Sequence, residues 1–401
     1  MFVDNFILNG RANGDVAEAL SGVRFDPGYL RPFIETDPRA PARMRGRRCV
    51  TINTREQIYN ERTKRFEPKR KTVLVEDLMR RGIMSKAFLV GNASTLTRDA
   101  WINIDNAIVK ANRNRLQAWA DLAGANSISG FDAMAKMTHE YWAMSDPGEA
   151  LQDMDGVADG RADTPLLLPT SVPLPITHSD FRFTQREIAV SRNTGAPLDT
   201  TMAEAAGRRV AEMVERQTIG TETGITYGTR STGPDPHRGT STVYGYTNYA
   251  YRVTKTDLTT PAGTNPEAVM TDILEMIETM NTNGFFGPFI LYHSTPYSRY
   301  LNDDYFRSGS TSAVRSLRER LMEIEGLQDI RRLDYLTSGY QLILVQMDPQ
   351  VAQAIDGMSP TTVQWEEKGG LEIRFKVMAI QVPVMKAPYN GVAGIIHGTT
   401  S

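Results

Sequence analysis

The amino-acid sequence predicts an α+β fold with a long N-terminal arm. Two segments combine helical periodicity with clear start and stop signals, and one segment near the C-terminus alternates strictly between apolar and charged residues. The 401 residues are 40% hydrophobic and 23% charged, which is enough apolar sequence to bury a sizeable core. A chain of this length is expected to form about two or three domains.

The N-terminal part of the chain differs from the rest in charge. Between Arg39 and Lys86 there are 15 Lys and Arg against 5 Asp and Glu, a net of +10. Because the whole chain carries −2, the remaining residues carry −12. Prolines and glycines interrupt regular patterns here, so we expect residues 1 to about 90 to form an extended arm with few regular elements.

The basic residues of this arm are candidate contact residues. Their pattern is compatible with a solvated flexible arm, with contact to acidic surfaces of neighbouring subunits, or with contact to packaged nucleic acid. The near-neutral total charge argues against general nucleic-acid binding by the whole molecule. The candidate contacts are Arg43, Arg45, Arg47, Arg48, Lys69, Arg70 and Lys71.

The segment after the arm predicts helices and then a long loop. Helical spacing of apolar residues predicts a helix from about Thr97 to Ala123 and a second from Phe131 to Met144. Residues 149–175 are rich in Asp, Gly and Pro and predict a loop. This loop contains an apolar run of three candidate contact residues, Leu166, Leu167 and Leu168.

The clearest helix of the sequence is preceded by a strand. The alternation Phe181-Arg182-Phe183 predicts that strand, which leads to Ile188-Ala189-Val190. Asp199 or Thr200 can cap the helix, and Gly220 ends it. The face that we expect to be buried contains Ala203, Ala206, Val210, Met213 and Gln217.

The C-terminal third predicts one more long helix and several strands. The helix begins at Asn265-Pro266, a cap followed by proline at the first helical position, and ends at Gly284. From Leu371 to Val377 apolar and charged residues alternate, which predicts a strand with one buried and one wetter face. Further strands are expected at Phe289–His293, Ile330–Leu336 and Tyr340–Met347, with a short helix at Leu317–Ile324.

No combination of residues in the sequence predicts an enzyme. The five histidines lack metal-ligand spacing, and the sequence has no phosphate-loop, dinucleotide or nucleophile-elbow signature. The acidic run from Asp153 to Asp163 lacks the spacing and the closing glutamate of a calcium loop, so we expect a solvated loop. The single cysteine, Cys49, lies among cations that would lower its pKa, but it has no local His partner. We therefore expect no catalytic, cofactor or metal site.

The compartment is expected to be cytosol-like. A single cysteine permits no intrachain disulfide, which is typical of reducing surroundings. The N-terminus lacks the basic flank and the apolar core of a signal peptide, and no apolar run approaches the roughly 20 residues needed to span a bilayer.

Three stretches of the chain resemble the capsid fold of tailed phages, the Hong Kong 97 type, and the related encapsulin shells. The segment from Ile188 to Gln217 is similar to the end of an extended loop followed by the long spine helix of these proteins. Val243-Tyr244-Gly245-Tyr246-Thr247-Asn248 is similar to the hydrophobic-Gly-hydrophobic turn after that helix. The segments from Asn283 to Leu301, Leu342 to Val345 and Leu371 to Val382 resemble the axial domain and the strand that returns through the peripheral domain.

The resemblance covers roughly residues 175–397 and implies a domain organisation. It assigns residues 1–148 to an N-terminal arm with helices and 149–190 to the extended loop. Residues 191–262 would form the peripheral domain with the spine helix, 263–356 the axial domain, and 357–401 the return strand and a C-terminal end in the axial domain.

The resemblance also implies a function. The chain would be a major capsid protein of a tailed phage, with many copies assembling as hexamers and pentamers into an icosahedral shell around double-stranded DNA. Its partners would include a portal and decoration proteins, it would need no cofactor or membrane, and it would reside in the virion after assembly in the host bacterial cytoplasm. The alternative is an encapsulin-like nanocompartment that encloses a cargo enzyme, and the contents of the lumen separate the two.

Overall fold

The computed structural model describes most of the chain from Arg31 onward. The described residues are 31–60, 65–80, 96–113, 116–129, 133–144, 154, 167–194, 200–222, 224–227, 239–262, 265–305, 315–388 and 391–400.

Within these ranges the chain forms eight α-helices and nineteen β-strands. The helices are α1 (Val75–Arg80), α2 (Arg98–Arg113), α3 (Gln117–Ala125), α4 (Gln185–Thr194), α5 (Thr201–Ile219), α6 (Pro266–Thr282), α7 (Tyr297–Leu301) and α8 (Leu317–Met322). The strands are β1 (Phe33–Ile34), β2 (Arg48–Asn60), β3 (Arg65–Leu74), β4 (Leu96–Thr97), β5 (Ser127–Ile128), β6 (Thr138–Met144), β7 (Leu167–Pro173), β8 (Thr177–Thr184), β9 (Gly224–Tyr227), β10 (Gly239–Thr242), β11 (Val253–Lys255), β12 (Phe289–Ser294), β13 (Asp304–Tyr305), β14 (Arg315–Ser316), β15 (Leu327–Leu333), β16 (Gln341–Gln346), β17 (Ala352–Glu367), β18 (Glu372–Met385) and β19 (Ile395–Thr399).

A five-stranded mixed sheet organises the C-terminal half. Its order is β11-β19-β16-β12-β15, in which β12 runs parallel to β15 and antiparallel to β16. Helix α6 covers one face through Ile273, Met276 and Met280, while the other face packs against Trp119 and Tyr246. Because both faces of β12 are covered, all six of its residues are buried, which explains its continuous apolar run.

A four-stranded sheet, β5-β17-β18-β8, supports the long helix α5. The aromatic rings of Phe181 and Phe375 stack across β8 and β18 with centroids 5.0 Å apart, beneath Ala203, Ala206 and Val210 of α5. Helix α2 packs beside α5, where Gly207 lies against Ile108, and its Trp101 ring lies 6.0 Å from the Phe375 ring of β18. Helices α2 and α5 therefore cover the same face of the sheet.

The two predicted long helices are confirmed. Helix α5 ends at Gly220, whose φ of +100° is the left-handed conformation that favours glycine, and Thr200 stands at its N-cap position without a side-chain cap bond. Helix α6 begins at Pro266 as expected. On α5 one predicted core position is wrong, because Met213 is 38% exposed while its neighbours Val214 and Glu215 are buried.

The prediction of an irregular N-terminal arm is wrong for the part of it that the structure describes. Strands β2 and β3 form a long antiparallel hairpin, hereafter the N-terminal hairpin, from Cys49 paired with Leu74 to Asn60 paired with Arg65. The sequence did not indicate it because its strands carry many Arg and Lys residues, which are not typical of strands. Strands β1 and β4 complete a four-stranded sheet at the base of this hairpin.

Two further predictions of secondary structure are wrong. The segment from Phe131 to Met144 was expected to be helical, but Thr138–Met144 is a strand paired with Leu167–Pro173. The segment at Ile188 was expected to continue a strand, but it lies in helix α4, since β8 ends at Thr184.

The remaining predicted elements are found with shifted bounds. The expected helix from Thr97 to Ala123 is two helices, α2 and α3. The alternating segment forms β18, but Leu371 is 70% exposed beside a tight turn at Lys368–Gly370, and Glu372 is buried among basic side chains.

Candidate functional site

The base of the N-terminal hairpin is fixed in the core. Cys49 and Leu74 are buried in the same apolar cluster as Trp101 and Phe375, and Val50 packs against Val75 and Leu78 of α1. Arg98 adds an ion pair at 3.0 Å to Glu35, which is only 3% exposed. The hairpin is thus anchored at one end, while its far end carries exposed Ile58 and Tyr59.

The basic residues singled out in the sequence lie around this hairpin. Arg43, Arg45 and Arg47 are exposed in the turns before β2, and Arg48 begins β2. Lys69, Arg70 and Lys71 are exposed on β3, which is the edge strand of its sheet. Arg47 contacts Glu76 at 3.6 Å and Arg45 donates to the carbonyl of Ala40. The structure therefore groups these residues on and beside one hairpin.

A second hairpin is formed by β6 and β7, and its base lies on the four-stranded sheet. We call it the extended hairpin. Leu174, Val172 and Tyr141 pack against Ile380 and Val384 of β18. The hydroxyl of Tyr141 donates to the carbonyl oxygen of Met385 at 3.1 Å, and the ammonium group of Lys386 lies 5.6 Å from the Tyr141 ring centroid.

The distal part of the extended hairpin exposes large apolar side chains. Trp142 is 61% exposed, and Leu167 and Leu168 are 57% and 54% exposed. In the strand register Trp142 pairs with Pro169 and Leu167 pairs with Met144, so Trp142 and Leu167 share one face. Leu166 lies outside the described residues. Such a cluster on one strand pair is typical of a surface that a partner covers.

A buried polar junction that the sequence did not reveal connects the two main sheets. Glu215 of α5 is 1% exposed and accepts hydrogen bonds from the backbone N–H groups of Ala118 at 2.7 Å and Trp119 at 3.1 Å. Burial raises the pKa of the Glu215 carboxyl to about 7, and the nearby charge of Asp121 acts in the same direction. The carboxylate thus satisfies the first turn of α3.

Asp121 continues this junction to the five-stranded sheet. It accepts a hydrogen bond from the hydroxyl of Tyr292 at 2.9 Å and pairs with Arg331, which also binds Asp329 at 2.7 Å. Burial raises the pKa of the Asp121 carboxyl. At the end of α3, the Asn126 side chain donates to the carbonyl of Ala352 on the other sheet. Helix α3 therefore joins both sheets by directional contacts.

The environment of Cys49 contradicts the expectation from its cationic sequence neighbours. The thiol is fully buried near the carbonyl oxygen of Met44, and burial raises its pKa to about 11. Within the described residues there is no group of three or more His, Cys, Asp or Glu that could hold a metal ion. Apart from Met154, the acidic segment Asp153–Asp163 lies outside those residues. The helices that the structure describes include none long and apolar enough to cross a membrane.

The fold is that of the Hong Kong 97-type capsid proteins. The structure is similar to the capsid protein of Myoviridae phage XM1, with a TM-score of 0.50 and 11% identity over 69% of this chain and 90% of that chain. It also resembles the virus-like particle of Pyrococcus furiosus, with a TM-score of 0.48 and 18% identity over 74% of this chain and 98% of the other. The capsid of the native GTA particle is also similar, with a TM-score of 0.47 and 10% identity over 71% of this chain and 91% of the other. The similarity to the phage XM1 capsid protein confirms the predicted α+β capsid fold.

The chain belongs to a protein family of unknown function, DUF6260, whose model matches residues 91–398. No curated protein matches the sequence. The N-terminal hairpin precedes the matched region, whereas the extended hairpin and both main sheets, apart from Thr399 at the end of β19, lie within it.

Proposed function

We propose that this chain is a structural, non-enzymatic major capsid protein, many copies of which assemble into an icosahedral shell around the double-stranded DNA of a tailed phage. The observation that carries the proposal is the capsid fold, which extends over 69% of this chain and 90% of the phage XM1 chain. A shell subunit acts through surfaces that repeat by symmetry, so the relevant features are its protruding, incompletely covered elements.

The extended hairpin supplies one such surface. Its base is fixed by the apolar cluster on β18, while Trp142, Leu167 and Leu168 remain more than half exposed. Two-stranded hairpins are marginally stable alone in water, so contact with a neighbouring subunit would stabilise the distal part as well as the shell. Burial of these side chains, repeated at every subunit, is the apolar contribution to assembly.

The two main sheets would correspond to the two domains expected of such a subunit. The four-stranded sheet with α5 would be the peripheral domain, and the five-stranded sheet with α6 would be the axial domain. In this assignment β19 returns to the axial sheet, in line with its pairing to β16. Helix α3 would hold the two domains at a fixed angle through Glu215 and Asp121.

Partners follow from the same proposal. Copies of the chain would form hexamers and pentamers, with a portal and decoration proteins at special positions, in a virion assembled in the host bacterial cytoplasm. The basic residues around the N-terminal hairpin would contact acidic surfaces of neighbouring subunits first and packaged DNA second. Mobile, sequence-independent contacts to DNA would position a long ribbon poorly.

The test is to express the full chain and inspect it by negative-stain electron microscopy and light scattering. We expect closed particles or hexamer- and pentamer-like rings. A stable monomer at high concentration over a range of salt conditions would refute the proposal. Nuclease-protected DNA in particles from infected cells would support a genome container, whereas a co-purifying enzyme in the lumen would support the nanocompartment instead.

A further inference from the structure

Helix α3 lies between the two main sheets and is held by polar contacts at both ends. Its Trp119 packs in one buried cluster with residues of both sheets. At the start of α3 the carboxyl of Glu215 accepts hydrogen bonds from the backbone N–H groups of Ala118 and Trp119. At its end the Asn126 side chain donates to the carbonyl oxygen of Ala352. A change in the charge of Glu215 therefore acts on the element that connects the sheets.

The carboxyl of Glu215 is buried without a cation of its own. The residue is 1% exposed, and among the described residues no Lys or Arg lies within ion-pair distance of it. The adjacent Arg216 instead pairs with Glu222 at 3.5 Å and lies over the Tyr335 ring. An ionised carboxylate here would be compensated only by the first turn of α3, and a buried charge without a counter-ion is costly.

The other ionisable groups around this carboxyl supply no free positive charge. On α3 it faces Asp121, and on the five-stranded sheet Arg331 pairs with both Asp121 and Asp329, so two carboxylates share one guanidinium. Tyr292 donates to Asp121 at 2.9 Å, and the rings of Tyr246 and Tyr292 stack with centroids 5.7 Å apart. Burial raises the pKa of both tyrosines, so both stay neutral near pH 7.

Glu215 therefore holds a proton more tightly in the folded subunit than in water. Burial raises its pKa from the ordinary 4.5 to about 7, the hydrogen bonds from Ala118 and Trp119 oppose this change, and the charge of Asp121 adds to it. Because the folded-state pKa is raised, the closed arrangement is most stable below about pH 4.5 and loses that stability as pH rises to about 7.

We propose that Glu215 is a proton-controlled latch between the two main sheets: the neutral carboxyl holds the first turn of α3, and its ionisation loosens α3 so that the sheets change their relative orientation. The O–H bond of the carboxyl is the only bond that breaks, and the proton passes to solvent water. The latch acts within one subunit, so it goes beyond the proposed shell function and does not depend on it.

The first test follows hydrogen exchange of the backbone amides of residues 117–126 in the full chain by mass spectrometry. Protection factors are compared, because they remove the intrinsic pH dependence of exchange. We expect α3 to open at a lower free energy than α6 and β12 in the core of the five-stranded sheet. The equilibrium constant for opening of α3 should rise about tenfold for each pH unit from about 4.5 to about 7.

Two variants on α5 show whether Glu215 is the titrating group. Glu215→Gln cannot ionise but keeps a carbonyl oxygen as acceptor, so the protection of α3 should lose most of its dependence on pH. The matched control is Glu212→Gln on the same helix, where the carboxylate pairs with Arg208 at 3.7 Å and is partly exposed. This control should keep the wild-type profile.

The second test measures the orientation of the sheets directly. Spin labels are attached at Ser359→Cys on β17 and Gln328→Cys on β15, both exposed positions, while Cys49 is fully buried and should not react. The labelled chain is mixed with an excess of unlabelled chain, so that distances within one subunit are recorded by pulsed electron paramagnetic resonance. Between about pH 5 and about pH 8 the distance distribution should shift or broaden, and Glu215→Gln should abolish this change.

Several results would overturn the latch. Protection of α3 that is constant with pH would do so, as would a full pH response in Glu215→Gln. Equal protection of α3 and β12 at every pH would mean that α3 opens only by global unfolding, and an unchanged distance distribution would mean that the sheets keep one orientation. The wild-type profiles decide if Glu215→Gln fails to fold. A chain that shows the pH response but forms no particles retains the latch and refutes the shell function, so the two proposals fail separately.

Discussion

Replacement of Leu167 and Leu168 by serine should weaken assembly without unfolding the subunit. Both side chains are more than half exposed in the subunit, at 57% and 54%, so the fold gains little from them. Complete burial of a leucine contributes about 1.5–3 kcal/mol. A neighbour that covers the exposed half gains about 1–1.5 kcal/mol from each, or about 2–3 kcal/mol for each contact, which is about 30- to 150-fold in the association constant.

The measurement is the critical concentration for particle formation, followed by light scattering, together with thermal unfolding of the unassembled subunit. We expect the critical concentration to rise by at least tenfold, while Tm of the subunit changes by no more than a degree or so. The matched control is Leu274→Ser on α6, where the side chain is 40% exposed and lies away from the hairpin. An unchanged critical concentration for the double variant would show that no neighbour covers these leucines.

Three further predictions concern stability and reactivity. Burial raises the pKa of Glu215 to about 7, so the folded state binds a proton more readily than the unfolded chain. The free energy of unfolding should therefore fall by up to about 3 kcal/mol as pH rises from about 4.5 to about 7. Glu215→Gln should flatten this dependence when Tm is measured against pH, and an equally steep profile in the variant would contradict the assignment. A Cβ at Gly245 would lie 2.5 Å from the carbonyl oxygen of Thr218. Gly245→Ala should therefore lower the free energy of unfolding, measured with denaturant, by about 1–3 kcal/mol. The control Gly124→Ala, which has open space around its Cβ, should be neutral or stabilising by up to about 1 kcal/mol. The buried thiol of Cys49 should resist iodoacetamide at pH 8 in the folded protein and react fully in denaturant, as followed by mass spectrometry; rapid modification of the folded protein would refute its burial.

The parts of the fold that sequence predicted well are those with strong local signals. The sequences of helices α5 and α6 show a helical repeat of apolar residues, a residue suited to the N-cap position and a terminating glycine or asparagine. Each helix lies where it was expected. Strand β12 was recognised because burial on both faces requires an uninterrupted apolar run. In these elements the local sequence pattern and burial in the core both require apolar residues at the same positions.

The two hairpins were missed because their environment is not encoded locally. Among the β2 and β3 residues whose burial the structure describes, the buried ones are Cys49, Val50 and Leu74 at the base, and the rest of the hairpin sequence is rich in charged and polar residues without a clear apolar alternation. In β6 the aromatic residues Tyr141 and Trp142 are adjacent and point to opposite faces, one packed and one exposed. Both elements protrude from the core, and a pattern that depends on core burial cannot identify them.

The polar junction was also beyond sequence reasoning. Glu215 lies among apolar residues of α5, and its partners are backbone N–H groups nearly one hundred residues earlier in the chain. Nothing in the periodicity of α5 distinguishes a carboxylate that caps another helix from one that faces water. The burial of Glu215 in the folded subunit reveals its role, because a buried charge requires a partner.

Strand β18 also has a mechanical consequence. It is paired with β17 along nearly its whole length and with β8 from Glu372 to Ala379, and the two hairpins are fixed near its opposite ends. A pull between neighbours would run along the strand, so its cross-strand hydrogen bonds would be loaded together in shear instead of opening one at a time. Internal pressure on a closed shell would thus be carried by β18, which has the most cross-strand pairs among the described strands, and the strand would transmit the load from one neighbour to the next.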